Sequence, residues 1–165
     1  MSIQPLLEAA TAAKSELAAA SCERKNALLA AMGASLRCNE ALILAANQRD
    51  IEAAQQTISE VMIDRLRLTP ERITAMAAGM QEVALLPDPI GNVQRSITRP
   101  NGLSIEKVSV PFGVIAIIYE SRPNVTADAA ALCVKAGSVC VLRGGKEAIH
   151  SNCAIVEALK AGARQ

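Results

Sequence analysis

Pro111-Phe112-Gly113-Val114-Ile115-Ala116-Ile117-Ile118-Tyr119 opens the stretch that decides the fold, and Val139-Cys140-Val141-Leu142-Arg143-Gly144-Gly145-Lys146 closes it. Two short apolar runs flank a small-residue helical segment that ends at Gly137. That pattern predicts a β-strand, a crossover helix and a second, parallel strand, a unit that is almost always right-handed. Neither run alternates with polar residues, so both strands are expected to be buried on two faces. In parallel sheets ligands sit beyond the carboxyl ends of the strands. Those ends carry the two polar clusters, Glu120-Ser121-Arg122-Pro123-Asn124 and Arg143-Gly144-Gly145-Lys146.

Each cluster admits two readings. Arg143 to Lys146 joins a buried strand to a helix, where backbone N–H groups and the helix dipole attract phosphate. It is otherwise a plain turn with exposed cations. It is not a P-loop, because Glu147 stands where Ser or Thr is required and Cys140 where the first glycine belongs. Glu120 to Asn124 is either a ligand-holding loop or a capped one in which Arg122 pairs with Glu120. The crossover helix is predicted to bury Val125, Ala129, Leu132, Cys133 and Ala136, with Ala127, Ala130 and Ala131 keeping it slim. Lys135 and Gly137 are its stop signals. A last helix to about Ala161 is predicted to face Ile149, Cys153, Val156 and Leu159 inward.

Upstream, the chain reads as scaffold. Leu6, Ala10, Ala13 and Leu17 share a helical face, and Ser21 suits an N-cap with Glu23 in the first turn. Leu28, Met32 and Leu36 stripe the second helix, Asn39 is a candidate cap for the third, and Val61, Met62 and Leu66 stripe a short fourth. Thr69-Pro70-Glu71 is a strong start signal for a fifth, striped by Ile73, Met76, Met80 and Val83 and ended by Pro87 and Pro89. Asn92–Arg99 and Leu103–Val110 then read as strands joined through Pro100-Asn101-Gly102. An isolated hairpin is marginal in water, so this one needs a surface, either its own helices or another chain.

Composition narrows the partners. Hydrophobic residues make up 51% of the 165, and the formal net charge is +1, which leaves no electrostatic footprint for nucleic acid or an anionic membrane. Phe112 and Tyr119 are the only aromatics, so no base-stacking platform exists. No apolar run reaches a membrane-spanning length of ~18 residues. Five cysteines without framework spacing suit a reducing compartment, and the expectation is a cytoplasmic protein. Cys133, Cys140 and Cys153 fall on apolar faces, where thiols stay protonated, and no candidate base accompanies Cys22 or Cys38. His150 reads as a helix-surface residue, and no cluster has metal-ligand spacing.

The run Ile118-Tyr119-Glu120-Ser121-Arg122-Pro123-Asn124-Val125-Thr126, with Leu142-Arg143-Gly144-Gly145-Lys146-Glu147 after a strand, resembles the γ-glutamyl phosphate reductase family of the aldehyde dehydrogenase superfamily. Leu68-Thr69-Pro70-Glu71-Arg72, Leu86-Pro87-Asp88-Pro89-Ile90-Gly91 and Val110 to Ile115 extend the likeness through nearly the whole chain. The resemblance implies an α/β fold: a helical N-terminal layer (1–90), a β-hairpin oligomerisation arm (91–110) and the opening βαβα of a Rossmann-like cofactor domain (111–165). It implies NADPH-dependent reduction of L-glutamyl 5-phosphate to glutamate 5-semialdehyde. The family's catalytic cysteine lies beyond residue 165, so this chain is expected to be inactive alone.

By the same resemblance Tyr119, Glu120, Ser121, Arg143, Gly144, Gly145 and Lys146 would contact NADP(H). Arg122 and Asn124 would hold the acyl phosphate or substrate carboxylate. A homo-oligomer and association with the glutamate 5-kinase that makes the substrate are the implied partners. The competing class is a non-catalytic helical interaction module that pairs with full-length subunits. A phosphate-binding kinase piece is disfavoured by the failed P-loop match.

Overall fold

The computed structural model describes residues 3–164. Five helices come first: α1 (Gln4–Ala18), α2 (Cys22–Cys38), α3 (Glu40–Ala54), α4 (Glu60–Leu66) and α5 (Pro70–Leu85). An antiparallel hairpin follows, β1 (Val93–Thr98) with β2 (Ser104–Val108). The chain continues through β3 (Val114–Ile118), α6 (Asn124–Lys135), β4 (Val139–Arg143), a 3-10 turn (Lys146–Ala148) and α7 (Ile149–Ala163). β3 and β4 pair in parallel, with Val114 opposite Val139 and Ile118 opposite Arg143. The α/β architecture expected from the sequence is present.

The local signals behave as their chemistry dictates. Ser21 accepts from the Arg24 amide at 3.2 Å and Thr69 from the Arg72 amide at 3.2 Å, so both are side-chain caps. Gly137, at φ +61°, ends α6 in the left-handed region where a Cβ is disfavoured. Asn39 is not a cap of that kind. Its amide Nδ2 turns back to the Ser35 carbonyl at 2.8 Å.

The core lies among helices, with α2 at its centre, packed on α5 and α7. Leu29, Met32 and Leu36 of α2 meet Ile73, Met76 and Met80 of α5, Ala127, Ala130 and Ala131 of α6, and Ile155, Ala158 and Leu159 of α7. Gly162 makes the α2–α7 approach possible: a Cβ there would stand 2.6 Å from the Ala31 carbonyl oxygen. A smaller cluster of Ile51, Ala54, Ile63, Leu66 and Ala148 joins α3 and α4 to the turn before α7.

Several expected faces are corrected. α7 buries Ser151, Asn152, Ile155, Ala158, Leu159 and Gly162, whereas Ile149 and Cys153 are exposed. The inward face is rotated by about one position, because Ser151 and Asn152 find buried polar partners and so enter at little cost. On α6 the small residues Ala127, Ala130 and Ala131 are the core face, and Leu132 is 55% exposed. On α1 only Ala10 is buried, and Leu6 is exposed. On α4 Ile63 replaces Val61 on the buried side. β3 and β4 are not buried on two faces: β3 alternates exposed and half-buried positions, and Ile118 is 74% exposed. Within this chain the sheet has two strands, and α1 and α6 do not cover it fully.

The hairpin does not lie on its own helices. Every residue of β1 and β2 is exposed. Its root is nonetheless fixed. Ser109 Oγ donates to the Pro89 carbonyl at 2.6 Å, and Asn92 Nδ2 donates to the Asp88 carbonyl at 2.8 Å. The Asp88 carboxylate pairs with Lys25 of α2 at 2.6 Å, and Lys25 is 2% exposed. Lys135, read as a helix stop signal, is likewise buried, donating to Asn26 Oδ1 at 2.7 Å and the Ala84 carbonyl at 2.8 Å.

Candidate functional site

The parallel register brings the carboxyl ends of β3 and β4 side by side, and the two polar turns pack on each other. The Tyr119 amide donates to the Arg143 carbonyl at 3.1 Å, continuing the ladder past the strands. Ser121, 5% exposed, donates its hydroxyl to Glu147 Oε2 at 2.7 Å. That bond, with the Glu147 backbone amide and the neighbouring Lys146 charge, holds the Glu147 carboxyl below its ordinary range. The Tyr119 phenol meets Thr126 Oγ1 at 2.7 Å, and Thr126 in turn donates to Asn152 Oδ1 at 2.9 Å. Burial pushes the Tyr119 phenol up, against the Thr126 bond.

Gly144 and Gly145 have a packing reason that spacing alone did not reveal. A Cβ on Gly144 would collide with the Asn152 amide and the Tyr119 ring. A Cβ on Gly145 would collide with the Ser121 hydroxyl. The two glycines let the turns interlock, and the turns then present Glu120, Arg122, Arg143 and Lys146, all exposed, from one end of the sheet. Arg122 does not pair with Glu120 through side chains. Its amide donates to the Glu120 carbonyl at 2.8 Å, and the guanidinium is left free of any acid among the described residues.

The amides that open α7 are not free for an anion. The first free amides of α7 are already taken by Asp50 of α3, which is 2% exposed. Its carboxylate accepts from the His150 amide at 3.1 Å, the Ser151 amide at 2.7 Å and the Ser151 hydroxyl at 2.6 Å, and also meets His150 Nδ1 at 2.7 Å. An acid supplied by the fold fills the place a phosphate would take. No sequence signal pointed to Asp50, since its partners lie 100 residues away.

A second feature opens where α6 begins. A groove of about 510 Å³ is lined by four arginines (65, 67, 72 and 122), Asn124 and two acids, Asp64 and Asp128, over Leu68 and Met76. Asn124 Nδ2 donates to Asp128 Oδ2 at 3.2 Å. Burial pushes the Asp128 carboxyl up, partly offset by that bond. The groove thus joins the two residues singled out for substrate to charged residues of the α4–α5 connection, which had been read as scaffold.

The contact between the Cys133 and Cys140 thiols, with burial, pushes Cys140 up, and the same contact holds Cys133 below the usual thiol range. Cys153 and Cys38 are exposed. Among the described residues no group of His, Cys, Asp and Glu could hold a metal ion, and no single helix is long and apolar enough to cross a membrane.

The chain superposes on aldehyde dehydrogenase-like folds. A propionaldehyde dehydrogenase from Rhodopseudomonas palustris superposes with a TM-score of 0.64 at 14% identity, over 99% of this chain and 34% of that one. The γ-glutamyl phosphate reductase of Thermotoga maritima superposes with a TM-score of 0.91 at 39% identity, over 94% of this chain and 38% of that one. The γ-glutamyl phosphate reductase of Xanthomonas campestris pv. campestris is 52% identical over 166 aligned residues, covering 100% of this chain and 40% of the relative. No protein-family model matches the chain.

The fold is therefore that of the aldehyde dehydrogenase superfamily. Within it, the chain belongs with the γ-glutamyl phosphate reductases and corresponds to their N-terminal part. It spans about two-fifths of the length of the curated relatives it matches, 40% for the one from X. campestris.

Proposed function

We propose that this chain supplies the cofactor- and substrate-facing turns of an NADPH-dependent reductase that converts L-glutamyl 5-phosphate to L-glutamate 5-semialdehyde. One observation carries the reading: two interlocked turns at one end of a parallel sheet bear cations that form no ion pair among the described residues, Arg122 on one and Arg143 and Lys146 on the other. Both ligands of that reaction are polyanions.

The residues present fit NADP(H) through side chains. Arg143 and Lys146, both exposed, would hold the phosphate-bearing adenosine end, since Asp50 occupies the helix terminus. Gly144, Gly145, Tyr119 and Ser121 shape the turn against which that end rests, with Glu120 at its rim. Bound NADPH supplies a hydride. Arg122 and Asn124 orient the substrate, the guanidinium by bidentate contact with phosphate or carboxylate oxygens. The exposed hairpin and the open sheet edges suit pairing with further copies of the chain, and glutamate 5-kinase is the natural source of a labile acyl phosphate. The reading places the protein in the cytoplasm.

In this reading the thioester-forming cysteine is none of the five in this chain. The chain alone is expected to give no turnover when glutamate 5-semialdehyde, phosphate and NADP are supplied. The protein that also carries the region its relatives possess beyond this segment is expected to turn over. Turnover by the chain alone would refute the division of labour, and none by the longer protein would refute the function.

Lys146 gives the sharpest cofactor test. Its ammonium attracts the 2′-phosphate of NADP(H), and a carboxylate there would repel it. Lys146→Glu in the active, longer protein is expected to shift the ratio of kcat/KM for NADPH over NADH by ~5- to 100-fold toward NADH. An unchanged ratio means that Lys146 does not read that phosphate.

A further inference from the structure

The groove at the start of α6 contains more charge than the structure uses. Of its four arginines, Arg72 is committed: it donates to the Arg67 carbonyl at 2.6 Å, to the Asp64 carbonyl, and to the Asp64 carboxylate at 3.3 Å. Those bonds pin the α4–α5 connection in place. Arg65, Arg67 and Arg122 have no acid partner among the described residues, although they line one cavity from two elements far apart in sequence. These three guanidiniums form no ion pair with either acid of the groove, Asp64 or Asp128, which leaves them available to a bound anion.

The groove also holds one acid in need of a cation. Asp128 uses a single oxygen on Asn124 and forms no ion pair among the described residues; burial pushes its carboxyl up, partly offset by the Asn124 bond. The floor between, Leu68 and Met76, is apolar and buried, suited to a short methylene chain. The connection is rigid beneath: the Leu68 amide donates to Asn47 Oδ1 at 2.7 Å, and Asn47 is itself buried. A pocket that offers guanidiniums, a carboxylate (Asp128) not tied to an arginine as Asp64 is to Arg72, and an apolar floor complements an α-amino acid with an anionic tail.

We propose that this groove seats the amino-acid head of the substrate, with Arg65 and Arg67 on the α-carboxylate and Asp128 on the α-ammonium, leaving Arg122 and Asn124 to the phosphate-bearing end. The assignment rests on the reductase reading above and deepens it. It makes the α4–α5 connection a specificity element. It explains why the guanidiniums there stay unpaired while the helix-capping charges elsewhere are neutralised.

The test compares L-glutamate 5-semialdehyde with 5-oxopentanoate, which lacks only the amino group, in the active, longer protein. The wild-type enzyme is expected to favour the amino substrate by about 10- to 100-fold in kcat/KM, the range for a hydrogen bond to a charged group. Asp128→Asn should remove most of that preference by raising KM for the amino substrate alone. Arg67→Gln should raise KM for both. A purely structural Asp128 would lower both substrates together, and that result, or no change, overturns the proposal. If the wild-type protein has no turnover at all, the reductase reading fails separately. Calorimetry on the present chain then decides the groove. Tighter binding of L-glutamate than of glutarate, lost in Asp128→Asn, supports it, and equal or absent binding overturns it.

Discussion

Asp50→Ala is expected to destabilise the protein by about 3–5 kcal/mol, because two buried donors lose their acceptor and the α7 terminus loses its anion. The Ser151 amide and hydroxyl both point at Asp50 Oδ2, and Ser151 is fully buried, so water cannot replace the carboxylate there. His150, about half exposed, can turn to solvent, which limits its share of the loss. For a chain of this length the change corresponds to a Tm drop of about 6–20 °C. Chemical denaturation at unchanged m-value is the measurement. Asp50→Asn keeps one acceptor and should cost less. A drop of only 1–2 °C for Asp50→Ala would show that α7 starts without this cap. The functional side of the same change is a looser turn at Lys146, which leads directly into the capped residues.

Asp88→Ala should be nearly as damaging, and more so than Lys25→Met. Lys25 is 2% exposed and its ammonium donates to the Asp88 carboxylate at 2.6 Å, so removing the acid strands an ammonium inside the protein. Breaking a buried pair in that way costs about 3–5 kcal/mol. Removing the lysine instead leaves an acid that is 22% exposed and still receives the Ile90 amide, so the loss should be roughly 1–2 kcal/mol. Equal losses would mean that water reaches Lys25. Burial tends to raise the Asp88 carboxyl, but the Lys25 and Ile90 hydrogen bonds and the nearby Lys25 and Lys135 charges outweigh it, and the result lies below the usual range. A depressed carboxylate contributes stability above its unfolded pKa and loses it as pH falls through the folded value. Acid titration of wild type and Asp88→Ala should therefore converge below the ordinary carboxylate range.

Much of the fold was legible because its signals are local. Caps at Ser21 and Thr69, the stop at Gly137, and the two apolar runs around a small-residue helix all depend on neighbours within a few residues. The helix faces were less legible. Periodicity ranks a leucine above a serine for burial, yet Leu132 lies outside and Ser151 inside, because Ser151 is satisfied by Asp50 and Asn47 from more than 100 residues away. Buried Lys25 and Lys135 escaped for the same reason: only the tertiary structure brings an acid, an amide or a carbonyl to each ammonium.

The candidate site divides similarly. Position past a strand end singled out Arg122, Asn124, Arg143 and Lys146. Arg65, Arg67 and Asp128 looked like ordinary helix-surface charges. Nothing in their spacing showed that a turn between two helices folds back onto the start of α6.

Tyr119 has a practical consequence of its own. It is the only tyrosine, there is no tryptophan, and its ring sits between the two turns with the hydroxyl on Thr126. The near-ultraviolet absorption and emission of the chain therefore come essentially from one ring at one place. With no indole to drain its excited state, that ring reports directly on whatever approaches the end of the sheet. The protein carries its own optical probe, positioned by the fold where ligands are expected and needing no label.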